Sequence, residues 1–234
     1  MLIMLFLKKA NAIQREFLVY LYFAITVFDV ILNLFFYNSS FYFLNPLLPI
    51  ILLVLFFINS EICKSYFLLL SLAILLWSFC YKSEVAFLEP LAIVSLFSIE
   101  FIIIVSIIQF TNLKNFIPVL IVFLPIFYLL LLLFSQTNQI PIKDYFLILS
   151  QDVIFSFIVG LCFSISFINE AKNKWLFLFG VLSILVYFLY FLVKYYFPSA
   201  DPLVYKSAMS MLIAALCYAF YSFMSTPVLE KISG

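Results

Sequence analysis

The chain contains no histidine. That single absence excludes imidazole-based zinc sites, a Ser-His-Asp triad and a histidine proton shuttle. Glycine is nearly as scarce: Gly160, Gly180 and Gly234 are the only three in 234 residues. A phosphate-cradling P-loop and a GxSxG nucleophile elbow both need glycines closer together than these. Charge is thin, at 10% of residues, and balanced between 12 basic and 11 acidic side chains. No cluster of Lys and Arg builds the basic face that nucleic acid requires, so nucleic acid is not an expected partner. The four cysteines, Cys63, Cys80, Cys162 and Cys217, show no metal-binding spacing. Cys80, Cys162 and Cys217 lie in apolar runs and read as small buried hydrophobes. Neither a metal nor a cofactor is expected.

What the chain has instead is apolar mass. Hydrophobic residues make up 68%, and the mean hydropathy is +1.27. A soluble domain is about 45–50% apolar and about 25% charged, and disorder needs the opposite composition. The remaining class is an all-α integral membrane protein, a single polytopic domain over residues 1–234. A bilayer core of about 30 Å takes roughly 20 apolar residues per helix. Charges and turn residues then delimit eight spans, near 17–37, 42–59, 65–81, 86–110, 116–135, 146–168, 175–197 and 204–224. The connections are mostly short, so successive helices are expected to be antiparallel neighbours. A β-barrel would show alternating polarity, and these runs are continuously apolar.

Eight spans put both termini on one side. With the N-terminus inside, the inner segments hold Lys8, Lys9, Arg15, Lys64, Lys114, Lys172, Lys174 and Lys231. The outer segments hold only Lys82, Lys143, Lys194 and Lys206. The positive-inside rule therefore predicts a cell-membrane protein with both termini cytoplasmic. Residues 1–9 do not form a secretory signal: their lysines follow a short apolar stretch instead of preceding it. They read as a short interfacial segment or a disordered one.

Packing signals are few. Ser156, Gly160 and Ser164 recur every four residues on the sixth span, a small-residue face for close helix contact. Oligomeric state stays open. The 32 Phe and 15 Tyr supply bulk and interfacial belts. Pro46, Pro90 and Pro118 fall in first turns, where proline is tolerated, whereas Pro49 and Pro125 are placed to kink their helices.

Function in a membrane interior usually shows in its charged groups, each costing about 2.5–3.5 kcal/mol at a helix centre. Three acids fall inside the spans: Asp29, Glu100 and Asp152. Asn33 lies four residues after Asp29 and shares its face. On the fourth span, Ser95, Ser98, Ser106 and Gln109 form a polar stripe at about 100° per residue, and Glu100 lies well off it. Asp152 leads the small-residue stripe of the sixth span. Carboxylates converging in a dry cavity would support acid–base work. Isolated acids capped by hydroxyls would only fix helix packing.

Several local strings resemble the YhhN/lysoplasmalogenase family of eight-span membrane proteins. Leu44-Asn45-Pro46-Leu47-Leu48 is similar to that family's Lys-Pro-Leu entry, with Asn45 in place of lysine. The stretch from Ser71 ends in Ser78-Phe79 where the family has Gly-Asp. Ser98-Ile99-Glu100-Phe101 falls where the family carries a histidine. Trp175 to Gly180, an apolar segment and Lys194-Tyr195-Tyr196-Phe197-Pro198 resemble the family's seventh span, with Tyr187-Phe188 in place of a Ser-Asp pair. Met211 to Phe223 shares the aromatic and small residues of its final span.

The resemblance implies a membrane lipid as partner and hydrolysis of the vinyl ether bond of lysoplasmalogens. The family's two aspartates are absent at the matching positions. Any catalysis would rest on Asp29, Glu100 and Asp152, with Asn33, Asn45 and Ser98 as substrate-binding candidates. The alternatives are a catalytically silent lipid- or partner-binding protein, or a small transporter or channel subunit lined by the fourth-span stripe.

Overall fold

The computed structural model describes residues 2–35, 48, 50–52, 54–55, 69, 72–74, 89–111, 113, 115–135, 142–168, 174–196 and 202–225. Among these residues there is no strand, and six continuous helices account for most of the chain. They are α1 (Leu2–Phe35), α2 (Glu89–Thr111), α3 (Ile117–Ser135), α4 (Ile142–Ile168), α5 (Lys174–Tyr195) and α6 (Pro202–Ser225). The spans expected near 42–59 and 65–81 fall largely outside the described residues, as do Cys63 and Cys80.

Helix boundaries follow local chemistry. Asn115 Oδ1 accepts the Ile117 backbone N–H at 3.0 Å, satisfying one donor that a helix start leaves over. Pro202 opens α6, where its missing N–H costs nothing. Pro125 is the proline inside α3, as expected. The N-terminal segment differs from expectation. It is neither a separate interfacial piece nor disordered but continues into α1, which runs 34 residues. No glycine or proline precedes Pro46, so nothing in the sequence stops the helix. At 1.5 Å per residue α1 is about 51 Å long, well beyond a bilayer core.

Among the described residues, four helices are long and apolar enough to cross a membrane: Ile117–Ser135, Tyr145–Phe167, Lys174–Val193 and Val204–Met224. Their outward surfaces agree with that composition. Ile117, Leu120, Ile121, Leu124, Tyr128 and Leu129 are all exposed on α3. So continuous an apolar face belongs against lipid rather than water.

Helix α4 touches α2, α3 and α5, and α5 packs in turn on α6. On α4, Gly160 lies against α3: a Cβ there would stand 3.0 Å from the Val119 carbonyl oxygen and 3.4 Å from Phe123. Gly160 thus lets α3 and α4 approach closely. On the other side, Gly180 of α5 meets Cys162, and Phe163 meets Phe177 edge to face. Phe155 stacks on Tyr187 further along. Residue numbers fall on α4 as they rise on α5, so the pair is antiparallel.

At the other end of the chain order, α1 packs on α6. Tyr22 Oη donates to the Ala214 carbonyl at 2.7 Å, and its ring stacks on Tyr218. Ser207 reaches the Val30 carbonyl at 3.5 Å. This pair is antiparallel as well.

Candidate functional site

The three membrane-depth acids are all buried, with Asp152 1%, Asp29 5% and Glu100 9% exposed. They do not share one place. Asp29 extends the Tyr22–Thr26 stripe of α1 at four- and three-residue steps, the side of α1 that meets α6. Glu100 and Asp152 belong to α2 and α4, which pack together.

The chemistry gathers at Tyr187. This residue lies on the inward stripe of α5 with Leu176, Gly180, Ser183 and Phe191, spaced by three or four residues. Its hydroxyl donates to Asp152 Oδ1 across the α4–α5 contact. The Phe155 ring lies over the Tyr187 ring at 4.3 Å and 18°, which holds the phenol in place. Glu100 is buried on α2, which packs against α4. One of the three expected catalytic acids, Asp152, therefore meets the tyrosine directly, and a second, Glu100, is buried on a helix packed against α4.

Each of these carboxylates keeps one oxygen with no hydrogen-bond partner: Asp152 Oδ2 and Glu100 Oε2. Ser156 Oγ, one turn along α4 from Asp152, is fully buried and equally unpartnered. Such groups are rare in folded proteins, because an unmade buried hydrogen bond costs about 1–3 kcal/mol. Asp152 Oδ2 and Ser156 Oγ, one turn apart beside the Asp152–Tyr187 bond, mark this place as the candidate site.

The other candidates lie elsewhere. Ser98 sits on the exposed arc of α2 with Val94 and Phe101, and its hydroxyl donates back to the Val94 carbonyl at 2.8 Å. The fourth-span stripe is therefore split. Ser95 and Ser106 face inward, whereas Ser98 and Gln109 face out. The stripe is a helix edge, not the wall of one path. The Asn33 side chain, Asn45 and the Ser78-Phe79 pair lie outside the described residues.

Tyr187 itself carried no functional expectation; it entered only as the residue at the position of a Ser-Asp pair. A signal for it was present. The connection at 169–173 makes α4 and α5 a helical hairpin, and counting equal numbers of residues back and forward from it sets Asp152 within a turn of Tyr187.

The chain matches no protein-family model, no characterised protein and no solved structure.

Proposed function

We propose that this is an eight-span protein of the cell membrane, with both termini cytoplasmic, that hydrolyses a lysolipid ether in the manner of the YhhN/lysoplasmalogenase family. The antiparallel packing of α1 on α6 supports an even number of crossings between the first and last spans. An even number keeps the termini on one side.

One observation carries the catalytic reading: Glu100 and Asp152 are buried on two helices that pack together, each with one carboxylate oxygen that has no hydrogen-bond partner, and Tyr187 holds Asp152. Vinyl ether hydrolysis needs one group to deliver a proton and another to activate water. The proton goes to the alkene carbon remote from oxygen, which leaves an oxocarbenium ion. Water adds to that ion and loses a proton, and the hemiacetal splits into a fatty aldehyde and a glycerophospho alcohol. Asp152, oriented by the tyrosine hydroxyl, suits the base. Glu100, buried on the helix packed against α4, suits the acid. Tyr187 stands where the resemblance implies a Ser-Asp pair, so the carboxylate is supplied here by the adjacent helix. The acid is relocated by one helix while the place in the bundle is kept.

The test is fatty-aldehyde release from a lysoplasmalogen by the purified protein in detergent micelles. The wild type and Asp29→Asn should release aldehyde. Glu100→Gln and Asp152→Asn should each lose most of that activity, in keeping with the usual 10²–10⁴-fold worth of a general acid or base, of order. No release from correctly folded wild type would overturn the hydrolytic reading and favour a silent lipid- or partner-binding protein.

A further inference from the structure

We propose that the α2–α4 junction holds a single buried water, bound by Glu100 Oε2, Asp152 Oδ2 and Ser156 Oγ. Its role as the hydrolytic nucleophile rests on the reading above; its presence does not. All three atoms lack a partner and belong to residues at least nine-tenths buried; Ser106 Oγ, the other such atom on α2 among the described residues, lies six residues, about 9 Å, further along that helix than Glu100.

Ser156 is the independent pointer. Hydroxyls in apolar helices are usually satisfied by the carbonyl one turn earlier. Thr26, Ser98, Thr111, Ser150, Ser166 and Ser183 all do this here. Ser156 does not, although Asp152 is four residues before it and the same carbonyl is the natural acceptor. Its hydroxyl is thus left with a proton to donate, on the face and at the level of the Asp152 carboxylate. Side chains four apart on a helix stand about 5–6 Å apart at Cβ, the spacing that one bridging water fills.

The donor and acceptor count closes. Water offers two hydrogens and accepts up to two. Its hydrogens go to the two carboxylate oxygens, and its oxygen accepts from Ser156. Buried waters typically make about three such bonds to groups that are otherwise unsatisfied. A cation would suit the carboxylates but would leave the serine proton without an acceptor. In the hydrolytic step the water would give its proton to Asp152 Oδ2 as its oxygen bonds to the oxocarbenium carbon.

The test is X-ray radiolytic hydroxyl labelling of the purified protein in micelles, read by mass spectrometry. Radicals from a bound water mark adjacent side chains even when bulk solvent cannot reach them. Phe155 and Tyr187 flank Asp152, so both should be labelled in the wild type. After mixing into H₂¹⁸O and brief exposure, the label should still carry mostly ¹⁶O, because a buried water exchanges slowly. Ser156→Val, which fills the space and removes the donor, should cut labelling at both rings several-fold. Ser156→Ala, milder for folding, should reduce it less, with Asp29→Asn unchanged. Absence of label at Phe155 and Tyr187 in the wild type overturns the proposal, as does label that Ser156→Val leaves intact. Labelling without aldehyde release would keep the water and discard the hydrolytic role; release without labelling would do the reverse.

Discussion

Tyr187→Phe is the most informative single change. It removes one oxygen and keeps the ring, so the 4.3 Å stack on Phe155 survives. What is lost is the donor to Asp152 Oδ1. Asp152 Oδ2 already lacks a protein partner, so the variant leaves a 1% exposed carboxyl with none for either oxygen. Hydrogen bonds to charged groups are worth about 1.5–3 kcal/mol in soluble proteins. Interhelical bonds in membrane proteins average nearer 0.6 and reach about 1.7 kcal/mol, because the unfolded helices find other partners. The depth of Asp152 favours the upper part of the membrane range, so the expected loss is about 1.5 kcal/mol. Asp152→Leu alone should cost a similar amount, since it orphans the phenol hydroxyl. The double variant should cost much less than the two combined, because a matched apolar pair leaves nothing unpaired. The assay is equilibrium unfolding in mixed micelles titrated with SDS, completing a double-mutant cycle. Additive single costs, or a Tyr187→Phe loss under about 0.5 kcal/mol, would refute the coupling.

Three further outcomes follow from the packing. Gly160→Ala should destabilise the fold: helix propensity offers up to about 1 kcal/mol, but the new Cβ meets the Val119 carbonyl oxygen at 3.0 Å, and a helix backbone cannot rotate aside. Gly160→Leu should be worse, in the overpacking range of about 1–3 kcal/mol or beyond, seen as a lower thermal midpoint in detergent. Gly180→Ala places a Cβ 2.9 Å from Cys162 Cβ, so it should destabilise alone and be partly rescued by Cys162→Gly in the same melt. Tyr22→Phe removes the 2.7 Å bond to Ala214 while keeping the Tyr218 stack; it should cost about 1 kcal/mol without changing aldehyde release, because the bond joins α1 to α6 and touches neither Asp152 nor Tyr187.

What could be read from the sequence was whatever depends on neighbours along the chain. Six of the expected spans coincide with helices within a few residues at most ends, because apolar runs and their polar breaks are local. The exception is the start of α1, where hydropathy marks the apolar part but helix formation continues through Lys8, Lys9 and Arg15. The close α3–α4 contact rests on Gly160, a residue that stands out in a chain with so few glycines. Ser98 shows where such arithmetic stops. An angular stripe on a helix says which residues face the same way, not which way is inward. That is decided by the partner helix, and the partner of α2 takes the Glu100 side rather than the Ser98 side.

The division of the three acids is non-local in the same sense. Asp29 belongs with α6 because Tyr22 closes a contact 192 residues away, and nothing in the first span encodes that choice. Asp152 and Tyr187 are separated by only 35 residues, and the hairpin register makes their meeting calculable. Glu100 lies on a helix beside α4 because α2 packs there rather than chiefly on α3, its successor in the chain. The expectation of antiparallel sequential neighbours fails at that step, and the failure is what sets the helix of the second carboxylate against α4. The same step carries a consequence for mutagenesis. The α2–α4 contact is not enforced by a short connection as the α4–α5 contact is, so it depends on its own packing. Ile107, fully buried on α2, should therefore be more sensitive than any α5 core residue in its effect on Glu100. Ile107→Ala should cost about 2–5 kcal/mol for the lost burial and cavity, and it should lower aldehyde release more than Leu176→Ala, which loosens a contact the hairpin holds anyway. Equal effects on activity at matched loss of stability would mean that α2 is held in place by something other than its contact with α4.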